Sequence, residues 1–199
     1  MAAQINGSTG INLIQDGIVS ESKIASGAVT VNKIGTGAVN SSKIADNGVD
    51  YIDLPSGSIL QTVYNQTQAH PYFSTTSTSL VSTGFSLSIT PKYSNSKLLV
   101  SGAVQVNVNG SMAAMGGGLA LYRDGVNLTP SGGASGNFGF YYQNTTGDMY
   151  QKLPFTFYLN ANSTTTTTFV LYMRSWTGSA VAVNLHDGTT EITIMEIKG

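Results

Sequence analysis

The sequence predicts an all-β chain: an extended N-terminal repeat stalk followed by an antiparallel β-sandwich head of the jelly-roll type. Three observations predict it. A ten-residue repeat fills residues 17–54. From Ser58 onward, apolar and polar residues alternate with period two, which marks strands with one buried and one wet face. No stretch sustains the 3.6-residue period of a helix. The chain then divides into an N-terminal segment (1–16), a stalk (17–55) and a head (56–199), with a composition change near Pro55.

The repeat reads GIVSESKIAS, GAVTVNKIGT, GAVNSSKIAD and NGVDYIDLPS. Gly17, Gly27 and Gly37 recur at a spacing of ten, as do Val19, Val29, Val39 and Val49. Lys23, Lys33 and Lys43 each precede Ile24, Ile34 and Ile44. The fourth copy decays, with Asn47, Asp53 and Leu54 at the glycine, lysine and isoleucine positions. One Val and one Ile per unit bury too little apolar surface to offset ordering ten residues at about 1–2 kcal/mol each. Helix is opposed by the glycines and β-branched residues, and collagen by the absence of glycine at every third position. The expected solution is intermolecular: several chains run side by side, with Val19, Ile24, Val29, Ile34, Val39, Ile44 and Val49 as the common core. The glycines would permit turns or close backbone approach, and the lysines would stay in solvent. A flexible Gly/Ser-type linker is the alternative, but a linker has no need of phase.

In the head, strands are expected at 59–64, 85–89, 97–103, 104–108, 118–123, 138–143, 153–159, 167–176, 181–185 and 191–198. Turn signals separate them at 91–96, Asp124-Gly125, 160–163 and Asp187-Gly188. Asp124-Gly125 reads as a two-residue hairpin turn. Eight to ten strands in this length indicate a sandwich, and a jelly roll before other types. The run 164–168 suits an exposed strand entrance, since β-branching favours strands. The glycine-rich stretches 115–118 and 131–136 read as a bulge or mobile loop.

Composition narrows the function. The 199 residues include 84 Gly, Ser, Thr and Asn, yet 41% are hydrophobic and 18 are aromatic, so a core can form. Only 10% are charged, and the net charge of −1 offers no basic footprint for nucleic acid. No apolar run approaches a membrane span, and no membrane insertion is expected. Zero cysteines exclude disulfides and thiol chemistry. Residues 1–16 lack a cationic region and a continuous apolar region, so no signal peptide is expected.

Catalytic signals are absent. His70 and His186 have no ligand spacing around them, and the head carboxylates Asp124, Asp148, Asp187, Glu191 and Glu196 nominate no glycosidase pair. There is no GxSxG elbow, and the glycine runs lack the lysine and helix of a P-loop. The chain is expected not to be an enzyme and to carry no cofactor or metal. The strongest binding signal is aromatic. Phe138-Gly139-Phe140-Tyr141-Tyr142 holds more rings than one buried face requires, and Trp176 ends a strand. Alternate rings fill the core. The others cover a subunit interface or stack on sugar rings or protein loops, which makes Tyr141, Tyr142 and Trp176 the candidate surface-binding residues.

The GAVxxxKI phase resembles the stalk repeats of tailed-bacteriophage fibre proteins, and the opening INGSTGINLIQDGIV is similar to their N-termini. The segments at 73–100, LYRDGVNL at 121–128 and ITIMEIKG at 192–199 resemble a β domain found at the C-terminus of phage virion appendages. The resemblance implies a homotrimeric structural virion protein with a jelly-roll head, somewhat like complement C1q and tumour-necrosis-factor heads, and no catalytic residues. Two roles follow as expectations. In a tail-fibre or adhesin subunit, residues 1–16 dock on the virion and the head contacts a host surface glycan or receptor. In a capsid cement or decoration protein (a head fibre), the repeat lies along capsid subunits. The 38 repeat residues span at most about 125 Å when extended, short for a long fibre. Other virion proteins of the tail or capsid are the implied partners.

Overall fold

The computed structural model describes residues 5–6, 10–11, 22, 24–46, 48–68, 72–108, 114–128, 138–143, 147–184 and 188–199. They fall into two compact units, Met1–Asp50 and Tyr51–Gly199.

In the first unit, β1 (Ile5–Asn6) and β2 (Gly10–Ile11) pair antiparallel. The repeat then follows a succession of tight turns. The Ala28 N–H donates to Ala25 O at 2.9 Å and the Ala38 N–H to Gly35 O at 2.9 Å. Gly27 and Gly37 hold φ +76 inside these turns. A three-residue bond with positive φ at the third position alone defines a type II turn, which favours glycine there. Five residues on, short 3-10 turns form at Val31–Lys33 and Ser41–Lys43. There the Lys33 N–H donates to Thr30 O and the Lys43 N–H to Asn40 O, both at 2.9 Å. Of the two roles expected for the glycines, the turn is the one seen at Gly27 and Gly37.

Lys33 and Lys43 are exposed and also hold the repeat together; Lys23 lies outside the described residues. Lys33 Nζ donates to Ala28 O at 2.8 Å, and Lys43 Nζ to Ala38 O at 2.9 Å. Each ammonium thus closes back five residues, from the 3-10 turn onto the preceding type II turn. This explains why lysine recurs in phase with glycine.

The second unit begins with one more 3-10 turn, Tyr51–Asp53. Lys198 Nζ donates to the Ile52 and Leu54 carbonyls, so the end of the repeat is fastened to the C-terminus of the head. The units therefore divide a few residues before Pro55. The strands that follow are β3 (Ile59–Gln68), β4 (Phe73–Thr75), β5 (Val81–Ile89), β6 (Lys97–Val108), β7 (Ala114–Arg123) and β8 (Val126–Asn127). The rest are β9 (Phe138–Gln143), β10 (Met149–Asn160), β11 (Thr167–Ser175), β12 (Val181–Val183) and β13 (Thr189–Ile197).

All pairings are antiparallel. The first sheet runs β3-β13-β6-β10, with β12 and β4 continuing beyond β13 on the same edge of β6. The second runs β5-β11-β7, and β9 and β8 share the far edge of β7. The final strand lies between the first head strand and β6, and the chain repeatedly changes sheet. This is the order of a jelly roll, built from two Greek keys.

Alternation delivers the core. β11 and β13 are buried at every second residue. Leu98, Val100, Val104, Ile192 and Ile194 from one sheet meet Leu119, Leu121, Phe169, Leu171 and Met173 from the other. Fully burying each such side chain contributes about 1.5–3 kcal/mol.

Several expectations are corrected. Residues 97–103 and 104–108 form one strand, β6. Residues 115–118 are not a bulge or loop but the first half of β7, paired with β9 and β11. The strand β11 stops at Ser175, one residue before Trp176. The short strands β4 and β8 were not anticipated. The run 164–168 divides: 164–166 are exposed and β11 starts at Thr167, which is buried. The 131–136 stretch, His70, His186, Leu185 and Asp187 lie outside the described residues.

Candidate functional site

The aromatic candidates separate across β9. Neighbouring residues of a strand face opposite sides, so Tyr141 points outward and Tyr142 inward. The Tyr142 ring packs against the core, and its hydroxyl donates to Gln151 Oε1 at 2.9 Å. Burial pushes that hydroxyl's pKa up. Tyr141 is 49% exposed, and its ring centroid lies 6.2 Å from that of Trp176 at 34°. The structure therefore brings Tyr141 and Trp176 together and leaves Tyr142 on the other face.

Trp176 occupies a floor of glycines. Its backbone N–H donates to Gly116 O at 2.9 Å, continuing the β11–β7 ladder by one residue. A Cβ at Gly139 would sit 2.5 Å from indole Cζ2, and one at Gly116 would sit 2.8 Å from Cε3. The glycines of β7 and β9 thus let an indole lie directly on the sheet, and the aromatic ring covers backbone that lacks side chains. The indole Nε1 and the Arg174 Nε are buried without acceptors.

The stalk-core candidates among the described residues face outward within the single chain. Ile24, Val29, Ile34, Val39, Ile44 and Val49 are between 42% and 57% exposed; Val19 lies outside the described residues. The units 27–36 and 37–46 each close their own lysine-bonded turn and leave their two large apolar side chains uncovered.

Two polar clusters fix the head. Asp124, at φ +49 in the hairpin turn, accepts from Thr167 Oγ1 and from the Thr168 N–H at 2.8 Å. Arg123 beside it donates from Nε to Thr167 Oγ1 at 2.9 Å and from Nη1 to Asn160 O at 2.7 Å. Partial burial works against the Asp124 charge. The hydrogen bonds from Thr167 and Thr168 and the Arg123 charge outweigh it and hold the carboxyl below its ordinary value. The second cluster centres on Glu196, which is fully buried. It accepts from Gln61 Nε2 at 2.6 Å and from the Lys92 and Tyr93 N–H groups at 2.7 and 3.2 Å. In the sequence Glu196 stands only among the scarce head carboxylates that nominate no catalytic pair. The signal for its structural role was its phase, since it shares a face of β13 with Ile192 and Ile194.

Among the described residues no three His, Asp or Glu side chains gather as a metal site. A cavity of about 190 Å³ opens between Asn65, Phe85, Val183 and Asn184. Asn65 is engaged there with Ser86 O, and Asn184 with Thr190 Oγ1.

No family model matches the chain. No curated protein matches it. Among solved structures, it is similar to the infectious bursal disease virus VP2 subviral particle at 16% identity and TM-score 0.37, over 70% of this chain and 40% of that one. It is also similar to infectious bursal virus derived T=1 particles at 14% identity and TM-score 0.35, over 71% and 41%. The chain spans about two fifths of those proteins. At these TM-scores the likeness adds nothing to what the strand order establishes: the head is an antiparallel jelly-roll sandwich.

Proposed function

We propose that the chain is a structural, non-catalytic subunit of a virus particle: a homotrimeric appendage of the tailed-phage fibre type, whose repeat forms the inter-chain stalk and whose jelly roll forms the head. The observation that carries this reading is the exposed ladder from Ile24 to Val49. Large apolar side chains at a fixed spacing of five, uncovered in one chain, call for partner chains. The fibre-like repeat motifs supply the biological setting. In this reading Tyr141 and the Trp176 edge form the surface that meets a host glycan or receptor.

A second reading, capsid decoration, is favoured by the turns. Two tight turns per ten residues make the repeat shorter than the extended bound, which suits a short projection. Labelling the protein on intact particles separates the two. A few trimers at the tail support the fibre reading, hundreds of copies over the shell support decoration, and absence from the particle removes both.

A further inference from the structure

The repeat does not stop where its sequence decays. Gly57 holds φ +90, and the Ser58 N–H donates to Pro55 O at 3.2 Å. This is the same turn as at Gly27 and Gly37, in the same phase of ten. The apolar ladder also keeps its phase of five, from Val49 through Leu54 to Ile59. Ile59 is the first residue of β3, so the spacing of five continues in sequence into the head.

Ile59 opens an unusual surface. It pairs with Ile197, Met195 pairs with Leu99, and Leu99 pairs with Tyr158. Directly paired residues share a face, and this is the outer face of the first sheet. Ile59 is 58%, Tyr64 56% and Tyr158 62% exposed. Outer faces of antiparallel sheets are ordinarily polar. Here six large side chains (Ile59, Tyr64, Leu99, Tyr158, Met195 and Ile197) gather on four adjacent strands. One charge borders the patch: Lys97 pairs directly with Ile197 at the strand end and donates to Asn160 Oδ1, while the Lys152–Glu191 pair, 2.9 Å apart, lies further along the sheet.

We infer that this face is where the head meets further copies of the same chain. The inference rests on the reading of the ladder as an inter-chain core. The occupant follows from phase and tether. Leu54, one ladder step before Ile59, is held to the head by Lys198, so copies that meet along the ladder carry Ile59 as the next apolar step. A partner of different sequence would have no reason to share that register.

The test uses the full chain, which has no native cysteine. Ile59→Cys and Val126→Cys are oxidised in parallel; Val126 is 65% exposed and lies on β8, in the other sheet. Covalent dimers should form at least tenfold faster for Ile59→Cys. Tyr158→Lys should raise the dissociation concentration in sedimentation at least tenfold with the far-UV spectrum unchanged. Equal cross-linking rates in a chain that sediments as an oligomer overturn the head interface and leave the ladder reading standing. A wild-type chain that sediments as a single copy overturns both.

Discussion

The buried carboxylate of Glu196 accepts the backbone N–H of Lys92 at 2.7 Å. This bond joins the last strand to the turn between β5 and β6, and Gln61 on β3 completes the site at 2.6 Å. The last strand, the first head strand and the turn between β5 and β6 are thus held by one side chain. Glu196→Ala leaves two backbone N–H groups without their acceptor and the Gln61 amide with only Thr90 O. It should cost about 2–3 kcal/mol, and Glu196→Gln, which keeps one carbonyl oxygen, should cost less. Denaturant unfolding followed by far-UV circular dichroism reads both; a Glu196→Ala protein as stable as wild type contradicts the role.

Asp124 gives a pH signature. Its carboxyl is held below the ordinary 3.8, so the folded state binds its proton less readily than the unfolded state does. The contribution is present above the ordinary value and is lost as pH falls through the folded one. Asp124→Asn tolerates the left-handed backbone and should flatten the loss of melting temperature between about pH 5 and about pH 2. An identical slope in wild type and variant refutes the assignment.

Gly139→Ala tests the indole floor. The added Cβ would lie 2.5 Å from the Trp176 ring, so the ring must move. The expected cost is about 1–3 kcal/mol. Trp176 is the sole tryptophan, so its emission should shift to the red. Unchanged emission and unchanged stability would show that the ring does not rest there.

The repeat offers a matched pair. Gly37 sits at φ +76, whereas a Cβ on Gly35 would meet nothing within 4 Å and its φ is not positive. Gly37→Ala should cost about 1 kcal/mol in its turn and hasten limited proteolysis within 22–50. Gly35→Ala should leave the cleavage rate unchanged. Equal effects of the two substitutions would exclude the type II turn as the unit of the repeat.

Much of the head was legible because alternation and burial mostly coincide: the run at 191–198 predicts β13, and Ile192 and Ile194 face the core, but the pattern breaks where Glu196 is buried and Met195 and Ile197 face outward. The Asp124-Gly125 hairpin was legible from turn chemistry, and both residues take positive φ. The glycines at 116–118 misled, because glycine signals either a bulge or a surface for a close neighbour, and the neighbour, Trp176, is about 60 residues away in sequence. Tyr142 and Trp176 could not be sorted by type alone, because the facing of Tyr142 depends on the register of β9 with β7. The lysine of the repeat was legible as periodic, but its acceptor was not, since a bond reaching back five residues depends on two consecutive turns.

The central claim is that the exposed ladder is an inter-chain core. Sedimentation equilibrium of the full chain, with and without Val29→Asp plus Ile34→Asp, tests it most directly. Three such chains would place six carboxylates in an apolar core. The account predicts a mass of three chains for the wild type, and weakened association with faster proteolysis of residues 17–54 in the variant. A single-chain mass for the wild type, or a variant as associated and as protease-resistant as wild type, would contradict it.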